Sequence, residues 1–185
     1  MQTVCAVRCL SASAMLCLSA CVSTGTPTPK PAATDIPAQL RPAPGEVLFL
    51  QTQGVGVQIY DCSPKAGQPG AFEWTFREPD AQLMDAAGHM IGRHFTGPTW
   101  ELDEGSSVVG EVKARAPSPS PTAIPWLLLS ARATAGSGKL TATTSIQRLR
   151  TVGGAAPSAG CNAANAGKVA KVPYTANYYF YRAPP

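Results

Sequence analysis

Val55-Gly56-Val57-Gln58-Ile59-Tyr60 and Phe72-Glu73-Trp74-Thr75-Phe76-Arg77 carry the pattern that decides the fold. Val55, Val57 and Ile59 share one face of an extended chain, and Phe72, Trp74 and Phe76 alternate with Glu73, Thr75 and Arg77. A period of two is the signature of a strand, because successive side chains point to opposite faces. Working outward, Val108 to Val112, Leu140 to Arg150 and Asn177 to Arg182 are further strands. Trp126-Leu127-Leu128-Leu129 is apolar without alternation, which predicts a strand covered on both faces. No long segment has the 3.6-residue spacing of an amphipathic helix.

Turns separate these runs at Pro64 to Gly70, Asp85 to Gly88, Ala135 to Gly138 and Val152 to Gly154. The turn at Ala135 to Gly138 predicts a hairpin between the Leu127–Leu129 strand and the Leu140 to Arg150 strand. Ala116 to Pro121 is a Pro/Ser insertion, and Gly153 to Gly167 is a Gly/Ala loop containing Cys161. Residues 46–185 are enough for one domain with a real core and too few for two. The expected fold is mostly β: a single-domain antiparallel β-barrel or β-sandwich with long Pro/Gly-rich loops.

The N-terminus reads as an address. Residues 1–20 hold one charge, Arg8, and an apolar stretch from Cys9 to Ala20, the design of a signal peptide and too short to span a bilayer. Leu18-Ser19-Ala20-Cys21 closes it in the form of a lipoprotein processing site, with Cys21 as the lipidated residue. Residues 21–45 are rich in Pro, Thr, Ala and Ser, a composition that favours a disordered tether. Acylation at Cys21 would make the membrane a partner through that anchor. Val22 is not the Asp that marks inner-membrane retention in enteric bacteria, so an outer-membrane lipoprotein facing the periplasm or the surface is expected.

Cysteine usage agrees with that address. Cys5, Cys9 and Cys17 belong to the leader and Cys21 to the anchor, leaving Cys62 and Cys161 as a pair for one disulfide in an oxidising compartment. No Cys-x-x-Cys occurs, and His89 and His94 are the only histidines, so neither a metal nor another cofactor is expected. Loss of residues 1–20 removes only Arg8 from 15 basic side chains and none of the 11 acidic ones, taking the net charge from +4 to +3. The basic residues are scattered apart from Arg148 and Arg150, which argues against nucleic acid as a partner.

Several motifs occur together: Gly56-Val57-Gln58-Ile59-Tyr60 with Cys62, Trp74-Thr75-Phe76 with Pro79, and His94-Phe95-Thr96-Gly97-Pro98-Thr99-Trp100. Ile124-Pro125-Trp126-Leu127-Leu128, Ile146-Gln147-Arg148 with Gly153-Gly154, and the closing Tyr174 to Tyr181 complete the set. From about Gln39 to Arg182 the chain resembles the domain of unknown function 3455 family. The resemblance supports the domain boundaries and the disulfide, and implies no particular activity. Where that family usually has Asp-Gly-Ser, this chain has Glu104-Gly105-Ser106, so no strict role for a short carboxylate is expected there.

His94 to Ser106 is the densest polar and aromatic cluster. His94, Trp100, Asp103 and Glu104 are candidate ligand contacts, and a histidine beside carboxylates suits acid–base work. The bland alternative has His94 bonded to the turn, Trp100 in the core and a solvated hairpin at Glu101 to Ser106. In the C-terminal strand Tyr178 and Phe180 share one face, while Tyr179 and Tyr181 share the other; the second pair are candidate contacts if that face is partly exposed. No nucleophile elbow or phosphate loop is present. Two functions therefore stand: a non-catalytic binding or structural module with an envelope ligand or protein as partner, or a small hydrolase-like enzyme using His94 with Asp103 or Glu104.

Overall fold

A computed structural model describes residues 36–185; residues 1–35, with the expected leader, Cys21 and most of the tether, lie outside the described residues. Eight strands follow in order: β1 (Val47–Pro64), β2 (Phe72–Met84), β3 (Met90–Phe95), β4 (Thr99–Leu102), β5 (Ser107–Ala116), β6 (Trp126–Ala135), β7 (Ser145–Gly153) and β8 (Val169–Arg182). Each is antiparallel to its successor, and β8 pairs back with β1 to close the ring. Of the two expected architectures, the chain forms the barrel. Closure leaves no sheet edge exposed. Among the described residues no helix is long and apolar enough to cross a membrane.

Strand parity sorts the side chains into a lumen and an outer face. Inside, Leu83, Trp100, Val108, Leu129, Ile146 and Phe180 belong to one buried cluster. In β1 the inward face is the more polar one: Thr52, Gln58, Tyr60 and Cys62 are buried, whereas Val55 is 41% exposed on the outside. A bulge lets β2 keep its apolar residues inward. Ile59 pairs with Glu78 and Tyr60 with Phe76, so Arg77 is the extra residue, and the inward set passes from Phe72, Trp74 and Phe76 to Pro79, Ala81 and Leu83. Gly54 gives the lumen room for a ring, since a Cβ there would lie 2.6 Å from Cε2 of Tyr178.

A second buried cluster lies outside the barrel: Leu40, Ala116, Trp126, Leu149 and Tyr179. Its lid is the segment Ile36 to Gly45, which holds a 3-10 turn at Ala38–Leu40. Gln147 Nε2 donates to the Leu40 carbonyl at 2.5 Å, and the Glu46 carboxylate accepts from Ser145 Oγ at 2.7 Å. Packing thus reaches back into the range expected to be tether. Leu40, fully buried among Pro and Ala, is the apolar residue that makes this possible. The same lid explains Trp126-Leu127-Leu128-Leu129: Leu127 and Leu129 face the lumen, while Trp126 and Leu128 face the outer cluster.

Two strand boundaries differ from expectation. The segment expected to run as one strand from Leu140 to Arg150 begins its strand only at Ser145; Lys139–Ala142 is a 3-10 turn instead. Leu140 turns into the core with no exposure, and its backbone N–H is taken up by Ser106 Oγ at 3.0 Å. Closing that end of the lumen outweighs continued alternation. At the C-terminus, β8 begins at Val169, well before Asn177.

Candidate functional site

Up-and-down topology gathers the loops β1–β2, β3–β4, β5–β6 and β7–β8 at one end of the barrel and the remaining turns at the other. The long β7–β8 loop is strapped over the first end. Cys62 and Cys161 form the expected disulfide, with Cα atoms 5.3 Å apart. Trp74 Nε1 donates to the Ala159 carbonyl at 2.9 Å, and the Tyr60 hydroxyl donates to the Gly154 carbonyl at 2.6 Å.

His94 lies inside β3, opposite Trp100 of β4. The two rings stack with centroids 4.3 Å apart at 13°. Nδ1 lies 2.8 Å from the Thr99 carbonyl, an atom that only accepts, so Nδ1 carries the hydrogen and Nε2 the lone pair. Burial drives the His94 pKa down to about 3; the Thr99 bond opposes this and the charge of Arg148 adds to it. The ring is therefore neutral at physiological pH.

The carboxylates expected beside His94 are elsewhere. Asp103 and Glu104 sit in the exposed β4–β5 turn, at the other end of β4 from the Thr96–Pro98 turn that holds His94. Glu104 is a latch between turns: its carboxylate accepts from Ser106 Oγ at 2.6 Å and from the Lys139 backbone N–H at 2.8 Å. The bond from Ser106, then that from Lys139, holds its pKa below the usual carboxylate range. A Cβ at Gly138 would collide with this carboxylate, so the latch requires glycine at that position. Among the described residues no group of three His, Cys, Asp or Glu is placed to hold a metal ion.

Tyr179 departs from the expected exposure. It has none, because the Ile36 to Gly45 segment covers its ring. Tyr181, on the same outer face, is partly buried, and its hydroxyl donates to Gln147 Oε1 at 2.7 Å. Neither tyrosine reaches the lumen.

The strapped end of the barrel holds a cavity of about 480 Å³, within the range typical of small-molecule sites. Eight strands is the count at which a barrel interior either fills with side chains or retains space for one small ligand. His94 and Trp100 form part of the wall, joined by Tyr60, Phe76, Ile124 and Leu129. Phe76 meets Tyr60 edge-on at 5.7 Å and is 50% exposed, which places it at the rim.

Arg148 is one of three arginines in this wall, with Arg77 and Arg115. It lies on β7 opposite Tyr178, and its Nε and Nη2 donate to the Pro125 carbonyl at 3.1 and 2.9 Å. Among the described residues no ion pair involves it. Burial lowers its pKa, while the hydroxyls of Tyr178, Tyr174 and Tyr60 work in the opposite direction. A guanidinium nevertheless stays charged. The sequence reading singled out His94 and Trp100 but missed Arg148, Gln58 and Phe76 as cavity residues. A signal for Arg148 was present: it stands two positions from Ile146, hence on the lumen face of β7.

Together, fold and site define a closed eight-stranded antiparallel barrel, braced by one disulfide, with a cationic and aromatic cavity beneath its strapped end. The family model "Protein of unknown function (DUF3455)" matches residues 42–182, and the chain belongs to that family. No curated protein and no solved structure matches it.

Proposed function

We propose that this protein is a non-catalytic binding module of the bacterial envelope, anchored by lipid at Cys21, that takes one small molecule into the barrel cavity. The carrying observation is the 480 Å³ cavity, walled by aromatic and aliphatic side chains and containing no carboxylate. The hydrolase-like alternative needed His94 beside Asp103 or Glu104, and those groups stand at opposite ends of β4. Support for the envelope comes from the Leu18-Ser19-Ala20-Cys21 stretch and from the Cys62–Cys161 bond, a kind of linkage that persists in oxidising compartments.

Native mass spectrometry of the protein purified without denaturation tests the binding reading. A single small molecule retained per chain, and lost from Val112→Trp, is the expected result; Val112 lines the cavity and is 37% exposed, so the larger ring fills space without entering the core. An empty wild-type protein that also binds no added neutral or charged compound would sink it. For the anchor, growth with an alkyne fatty acid should label the wild type and not Cys21→Ala.

A further inference from the structure

We infer that the cavity selects an anionic amphiphile, a carboxylate on an apolar body, with Arg148 as its counter-charge; this deepens the binding reading and rests on it. Three arginines line the cavity, Arg77, Arg115 and Arg148, and no Asp or Glu does. Arg77 is already neutralised by Asp61. Arg115 stands exposed at the rim, and neither it nor Arg148 enters an ion pair among the described residues. A guanidinium has five N–H donors; two of Arg148's converge on the single Pro125 oxygen and another reaches the Tyr178 hydroxyl, leaving donors for a further acceptor.

The walls carry the same polarity. Gln58 and Trp100 both line the cavity, both are at most 2% exposed, and Gln58 Nε2 and Trp100 Nε1 have no hydrogen-bond partner. Both of these groups are donors, so the complement they lack is an acceptor, and Arg148 favours one that carries negative charge. A partly buried cation without a counter-ion has lost part of its hydration, a loss that a bound carboxylate offsets by direct pairing. The rest of the ligand meets Val112, Ile124, Leu127 and Leu129, which calls for a hydrocarbon body.

Calorimetric titration of the purified full chain with decanoate and with 1-decanol, both below micellar concentration, separates charge from apolar fit. Decanoate should bind at least tenfold tighter than decanol. Arg148→Met should bring the two ligands within about twofold of each other by weakening decanoate. Equal affinities in the wild type overturn the inference and leave the binding reading standing. Binding of neither ligand also overturns the inference, and the native mass spectrum then decides the binding reading. A folded Arg148→Met that still prefers decanoate tenfold also overturns the assignment; if that variant does not fold, the wild-type comparison decides alone.

Discussion

The His94 imidazole lies flat against the Trp100 indole, ring centroids 4.3 Å apart, with its Nδ1 hydrogen on the Thr99 carbonyl. That one arrangement turns a candidate acid–base residue into a neutral wall of a binding cavity. It also has a consequence for stability.

In the unfolded chain His94 titrates near 6.5, and in the folded protein only at about 3. Between those values the unfolded state binds the extra proton, so stability is full above pH ~6.5 and falls as pH drops toward 3. The slope for this one group is about 1.4 kcal/mol per pH unit. His94→Phe should be less stable than wild type at pH 7, having left the Thr99 carbonyl unpaired, but should lose less stability between pH 6 and 4. Urea unfolding at pH 7, 6, 5 and 4 measures this; parallel curves for both proteins would disprove it.

Leu40 is fully buried against Trp126, Leu149 and Tyr179. Truncating a leucine in such a site costs about 2–5 kcal/mol. Leu40→Ala should therefore lower the urea midpoint clearly and expose Tyr179 on the outer face. Cavity binding should be unchanged, because the lid packs on the other side of the sheet. A variant within about 0.5 kcal/mol of wild type would mean that residues 36–45 behave as tether in solution.

The Cys62–Cys161 bond closes a separation of 99 residues. Loop-closure entropy for that span corresponds to about 4–5 kcal/mol. The double variant Cys62→Ala, Cys161→Ala should melt about 10 °C or more below wild type. Its amide exchange should rise most in residues 160–167, because Tyr60 and Trp74 still hold the earlier part of the loop at Gly154 and Ala159. Uniform acceleration across the barrel, with no excess in the loop, would argue that the disulfide braces the whole sheet instead.

Sequence alone determined the β class, most strand positions and the disulfide pair. These follow from local signals: the two-residue period, the turn residues and a count of cysteines. Parity also held the clue that Arg148 faces inward with Ile146, although a lone arginine in an apolar strand carries no label saying what it faces. Tertiary structure decided everything that depends on which face is covered. Leu40 looked like one apolar residue in a Pro-rich tract until the outer surface of β5 to β8 supplied its partners. Glu104 and His94, ten positions apart, looked like neighbours until the short strand β4 held them at opposite ends of the barrel. The cavity exists only because closing the ring brings Tyr60, Phe76, Trp100 and Arg148 from four strands separated in sequence to one end. Periodicity reports the direction of a side chain from its own strand; only closure of the sheet fixes what stands across from it.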